Sequence, residues 1–196
     1  MNKYNLSYFT AIFVAITLSG CGIQSIPTAL NNVEAAWSEV LNQYKRRSDL
    51  IPNLVNIVKG YASHEKETLQ AVVEARAKAT QTKVSTDQLT PQLMNQFSQA
   101  QAGLGSALSR LMVVVERYPE LKANTNFRDL QVQLEGTENR IAVARNRYIQ
   151  SINAFNNLVT VPPTSWFNAI FLKHDKKPQF SPENEDKIKQ APKITL

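Results

Sequence analysis

Cysteine occurs once in this 196-residue chain, at Cys21. A single thiol excludes an intramolecular disulfide, and no thiolate cluster exists to hold zinc or an iron–sulfur centre. Histidine occurs twice, at His64 and His174. The two are far apart and neither has a second histidine at helical ligand spacing, so no metal and no cofactor is expected. Glycine is scarce too, six in all, and no stretch of β-branched residues alternates strictly with polar ones. Both features argue against a sheet protein rich in tight turns. There is no glycine-rich phosphate loop, because Gly103 and Gly105 fall inside a helical pattern. There they either let another helix approach closely or simply weaken their own. No glycine-flanked serine turn supports a nucleophilic hydrolase. Acidic residues number 16 against 22 Lys and Arg, a formal charge of +6. A solvated basic surface is the expected meaning, with contact to anionic lipid or nucleic acid as the alternative.

What is present begins with "MNK", a short positive start, and the uncharged run "LSYFTAIFVAITL", Leu6 to Leu18. Small residues follow, which completes the three-part form of a secretory signal. As a helix this run covers roughly 20 Å, short of a bilayer core of about 30 Å. Leu18-Ser19-Gly20-Cys21 resembles the lipobox of bacterial lipoproteins, which implies acylation of the Cys21 sulfur and cleavage before it. Residues 1–20 are then a signal peptide, and 21–30, small and polar with Pro27, a tether. A retained membrane helix is the alternative. Glycine rather than aspartate at position 22 points to an outer membrane if the organism has two.

From residue 31 to 160 apolar residues recur at alternating gaps of four and three. The first row is Val33, Trp37, Val40, Tyr44, Ile51, Leu54, Val58 and Tyr61, with Arg47 its polar member. Pro52 lies inside this row without shifting its phase, which predicts a kink rather than a stop. Gly60 in a left-handed turn is expected to close the helix and Ser63 to cap the next. That second helix carries Leu69, Val72, Arg76 and Ala79. Thr90-Pro91 starts a third with Leu93, Phe97, Ala100, Leu104, Ala107, Leu111, Val114 and Tyr118. Asn124 or Asn126 caps a fourth with Phe127, Leu130, Leu134, Thr137, Ile141, Ala144, Tyr148, Ile152 and Phe155. Helices of about 28, 18, 28 and 32 residues follow from these rows. Such seams pack near-parallel, and short connections make neighbours antiparallel. The fold class is all-α, an up-and-down four-helix bundle.

Arg47, Arg76, Glu138 and Arg145 fall on or beside the apolar stripes, where a lone buried charge is costly. They form a candidate polar layer. Register-fixing ion pairs are the expected role, and a polar pocket or switchable layer is the alternative.

"VEAAWSEVLNQYKRRSDLIPNLVNIVKGYASHEKETL", "VVEARAKA" and "ERYPELKANTNFRDLQVQLEGTENRIAVARNRY" resemble successive blocks of LemA-family proteins. The resemblance implies an antiparallel helical bundle tethered to a membrane at its amino end. It brings no catalytic residues, since the family has no agreed activity. Many members keep an uncleaved membrane helix where this chain has its lipobox. In the tail, 161–196, a short helix is expected, and Trp166, Phe167, Ile170, Phe171 and Leu172 cluster ahead of Lys173, Lys176 and Lys177. Docking onto the open end of the bundle is expected, with a membrane interface or a partner's groove as the alternative. The resulting expectation is a non-enzymatic lipoprotein, held at the membrane by its lipid anchor and binding other envelope proteins. An extracytoplasmic lipoprotein meets no nucleic acid. The alternative is an envelope enzyme or small-molecule binder using polar groups inside the bundle.

Overall fold

Apolar side chains at three- and four-residue gaps can be buried only if the helices carrying them lie side by side. The computed structural model, which describes residues 24–81 and 89–180, solves this with four long helices. They are α1 (Ser25–Tyr61), α2 (Lys66–Gln81), α3 (Pro91–Val115) and α5 (Thr125–Thr160). Short α4 (Pro119–Ala123) bridges α3 and α5, and α6 (Thr164–Phe167) with a π-helical turn (Asn168–Leu172) follows α5. Cys21 lies outside the described residues.

Direction follows from two buried clusters stacked end to end. One joins Ile26 through Tyr44 of α1, Met94 and Phe97 of α3, and Ile141 through Val159 of α5. The other joins Ile51 through Ala62, the face of α2, Leu104 through Val115, and Phe127 through Leu134. Helices α1 and α3 run from the first cluster to the second, and α5 runs back. This is the up-and-down bundle. The nine seam residues expected for the last helix, Phe127 through Phe155, are all buried.

Several boundaries differ from the expectations. Helix α1 begins at Ser25, so residues 25–30 are its first turns and not a tether, with Ile26 and Ala29 buried. Pro27 is tolerated there because first-turn amides have no helical acceptor. At the other end Gly60 takes no left-handed turn. The Ala62 amide closes α1 by donating to the Val58 carbonyl at 2.8 Å. Ser63 caps nothing: it lies in the exposed turn before Lys66. In α3 the expected Thr90 cap is present, its Oγ1 accepting from the Leu93 amide at 3.2 Å, and Asn124 caps α5 through the Phe127 amide at 3.0 Å. A Cβ added at Gly103 or Gly105 would meet nothing within 4 Å. These glycines do not admit a close neighbour.

The helices are unequal. At 37 and 36 residues, α1 and α5 are each roughly 55 Å long, against roughly 24 and 37 Å for α2 and α3. The long pair outruns the short pair, and the tail covers the excess. Residues 173–180 fold back along α5, where the Asn156 side chain both accepts from the Lys177 amide (2.9 Å) and donates to the Lys177 carbonyl (3.1 Å). Asn168 makes the same two-way pairing with His174. The path delivers Phe180 into the first cluster, 5.8 Å from the Trp37 ring and 5.5 Å from Tyr148. The expected docking of residues 166–172 is therefore corrected. Leu172 is partly covered, whereas Trp166, Ile170 and Phe171 are each 67% exposed.

Helix α1 passes unbroken through Pro52. Proline has no amide hydrogen, which leaves the Ser48 carbonyl without its helical donor. Arg76 of α2 supplies one: its Nε donates to Ser48 O at 2.8 Å. Pro52→Ala should therefore be neutral or mildly stabilising, because the restored amide takes over that carbonyl. Arg76→Met should cost about 1–2 kcal/mol in the native chain and much less on the Pro52→Ala background. Denaturant unfolding of the two single variants and the double variant measures this coupling. Additive costs would show that Arg76 does not serve the proline gap.

Candidate functional site

Between the two clusters lies a polar layer. Arg47 occupies the seam of α1 between Tyr44 and Ile51 and is 4% exposed, the one buried charged residue among those described. Its Nη1 donates to Glu138 Oε1 of α5 at 2.5 Å. Its Nη2 donates to Gln101 Oε1 at 2.6 Å and to the Gln101 carbonyl at 3.3 Å. The Gln101 amide in turn donates to the Ala79 carbonyl of α2 at 3.2 Å. One guanidinium thus ties α1 to α3 and α5, and Gln101 extends the tie to α2. Arg47 Nε and Ser48 Oγ are buried without a hydrogen-bond partner.

Of the four residues expected in a polar layer, three come together. Arg47, Glu138 and Arg145 line one cleft of about 450 Å³, with Tyr44, Gln101 and Gly105. Arg145 lies over the Phe180 ring, its Cζ 4.6 Å from the centroid. Arg76 is elsewhere, on the Ser48 carbonyl. Gln101 is the member that sequence reasoning missed. Met94, Phe97, Gln101, Leu104, Leu108, Leu111 and Val115 keep strict gaps of three and four, so the row itself held the signal.

Glu138 keeps about half of its side chain in water (52%) while Arg47 keeps 5%, so the pair is half solvated. Tyr148, beneath the layer's neighbour Phe180, has its phenol pushed well above its ordinary ionisation range by burial. At the far end Tyr118 is raised as well, first by desolvation and then by the Glu65 carboxylate to which it donates at 3.1 Å. Glu65 also accepts from Arg117 at 2.9 Å, tying the α1–α2 turn to the end of α3. His64 is exposed in that turn, and the His174 ring packs 6.0 Å from Phe155. Among the described residues no three of His, Cys, Asp or Glu converge where a metal ion could sit, and no helix is long and apolar enough to cross a membrane.

The described residues form an all-α bundle in which two apolar cores meet at a layer built on one buried arginine. The chain belongs to the LemA family, whose family model matches residues 36–196. It is 24% identical to "Protein LemA" of Metamycoplasma hominis over 146 residues, covering 74% of this chain and 61% of that one. It is 32% identical over 84 residues to "Magnetosome protein MamQ 2" of Paramagnetospirillum magneticum, covering 43% of this chain and 30% of that protein. A further match is "Magnetosome protein MamQ" of Magnetospirillum gryphiswaldense, 32% identical over 71 residues and covering 36% and 26%. The chain thus spans less than two thirds of each of these relatives.

Proposed function

We propose that this LemA-family chain is a membrane-anchored lipoprotein of the cell envelope that works by binding other envelope proteins and not by catalysis. The observation that carries this reading is the fate of Arg47. The one buried charge among the described residues is committed to Glu138 and Gln101, and so serves helix register. What remains available to a partner is the outer surface of the bundle, where Val73, Val113, Val132 and Val143 stand exposed on α2, α3 and α5. Cys21 is the acyl acceptor, and the module stands on the outer face of the cytoplasmic membrane, or on the periplasmic face of an outer membrane where there is one.

The anchor has a direct test. Cys21→Ser removes the thiol that would receive the diacylglycerol group, so labelled fatty acid should no longer enter the protein and the precursor should stay unprocessed. Normal labelling and processing in that variant would remove the lipoprotein reading.

A second reading is favoured by the cleft of about 450 Å³ at the layer, lined by Arg47, Glu138 and Arg145, with the Arg47 Nε buried and unpartnered. There the protein would hold a small polar molecule. Substitutions at Arg47, Glu138 and Arg145 separate the two. A binding module loses function only as it loses stability, whereas a ligand site loses function with its melting curve unchanged.

A further inference from the structure

The turn after α5 leaves apolar groups in water beside a core that had room for others. Trp166, Ile170 and Phe171 are each 67% exposed, and the half-buried Phe167 ring lies tilted against Phe171 with centroids 4.7 Å apart. The same tail buries Phe180 and partly covers Leu172. The exposed set is therefore not a shortage of core. Exposed Lys173 and Lys176 flank it, with Asp175 the opposing charge.

Its place in the fold identifies what covers it. Ile26 and Ala29, from the first turns of α1, share one buried cluster with Phe155 and Val159, from the last turns of α5. The start of α1 and the turn after α5 are thus at the same end of the bundle. From that end the chain continues into residues 1–23, which include the uncharged run Leu6 to Leu18 and Cys21. A membrane attached through those residues would lie at the end of the bundle that carries Trp166.

We propose that Trp166, Ile170 and Phe171 form a second membrane contact, seated in the interface of an anionic bilayer with Lys173 and Lys176 against its headgroups. Tryptophan and phenylalanine are at home at the headgroup level, and lysines beside them gain from negative surface potential. The proposal takes from the anchoring reading only the nearness of a bilayer. Two contacts at one end hold α1 and α5 upright, whereas a single contact would leave the bundle free to tilt.

The chain has two tryptophans, and the other, Trp37, is 1% exposed in the core. A Trp166→Phe variant therefore supplies the baseline. The full chain is reconstituted in vesicles of phosphatidylcholine with about one third phosphatidylglycerol, with bromine on the acyl chains near the headgroup. Trp166 emission should be quenched at least about two-fold more than that of Trp37, and acrylamide should reach it less than in detergent-free solution. Pure phosphatidylcholine should weaken the effect, and Phe171→Ser should weaken it with an unchanged melting curve. Full access to acrylamide in vesicles would overturn the proposal. So would shielding from acrylamide without quenching by brominated lipid, which would mean that protein, either residues 181–196 or a second copy, covers the patch. Sedimentation with the vesicles reports the anchor separately. A chain that sediments with Trp166 unquenched refutes the patch alone, one left in the supernatant refutes both, and quenching that persists in Cys21→Ser sustains the patch without the lipid.

Discussion

Alanine in place of Phe180 should lower the stability of the bundle by about 3 kcal/mol, the scale for removing a buried aromatic ring. Phe180 is 7% exposed and closes a ring cluster with Trp37 and Tyr148. It also lies under the Arg145 guanidinium. Its loss takes away more than area, because residues 173–180 are otherwise held by a few side-chain hydrogen bonds, chiefly those of Asn156 and Asn168. The tail should then detach and uncover the part of α1 and α5 that α2 and α3 are too short to reach. Denaturant unfolding gives the energy, and limited proteolysis gives the location as new cleavage between residues 173 and 180. A cost under about 1 kcal/mol would mean the tail contributes nothing to the core.

The second large effect has opposite signs in two variants of the same layer. Glu138→Ala strands the Arg47 guanidinium, which is 5% exposed, with only Gln101 as partner. A fully buried charge so deprived costs about 3–5 kcal/mol. Glu138 is 52% exposed, so water can partly replace it and about 1–2 kcal/mol is expected. Replacing the layer as a unit, with Arg47→Met, Gln101→Leu and Glu138→Gln together, joins the two apolar clusters and removes the unpartnered Nε. That variant should be more stable than the native chain by about 1–4 kcal/mol, as for buried ionic groups replaced by well-packed apolar ones. Thermal and denaturant unfolding of both variants decides it. If the triple variant were the less stable, the layer would be an energetic asset to the fold.

The long seams were legible because one physical rule governs them: a side chain every three or four residues must leave water. The α5 row from Phe127 to Phe155 needed nothing more. Position 101 was misread because two rows through α3 satisfy that spacing, one through Ala100 and one through Gln101. Hydrophobicity favours alanine, while the structure buries the glutamine to receive Arg47 and reach the Ala79 carbonyl. That partnership spans three helices and cannot be read from α3 alone. The start of α1 was misread for a local reason, since Pro27 looks like a tether residue although a first helical turn accepts it. Arg76 was half legible. Pro52 marks Ser48 as a carbonyl in need of a donor, but only packing chooses which side chain answers. The tail was least legible. Trp166 and Phe171 look as fit for a core as Phe180, and what separates them is the backbone path set by Asn156 and Asn168.

The polar layer also divides the molecule's response to mutation. Val33 belongs to the first cluster and Leu111 to the second, and the layer separates the two groups. Sites that share no partner have nearly additive energies, whereas neighbours within one packed group do not. A lost fit in one half can therefore be repacked only by residues of that half, although a stabilising change in either half adds to the total. The exception is Arg47 with its partners, where the two accounts meet, so drift on one side of the layer leaves the other side free to vary.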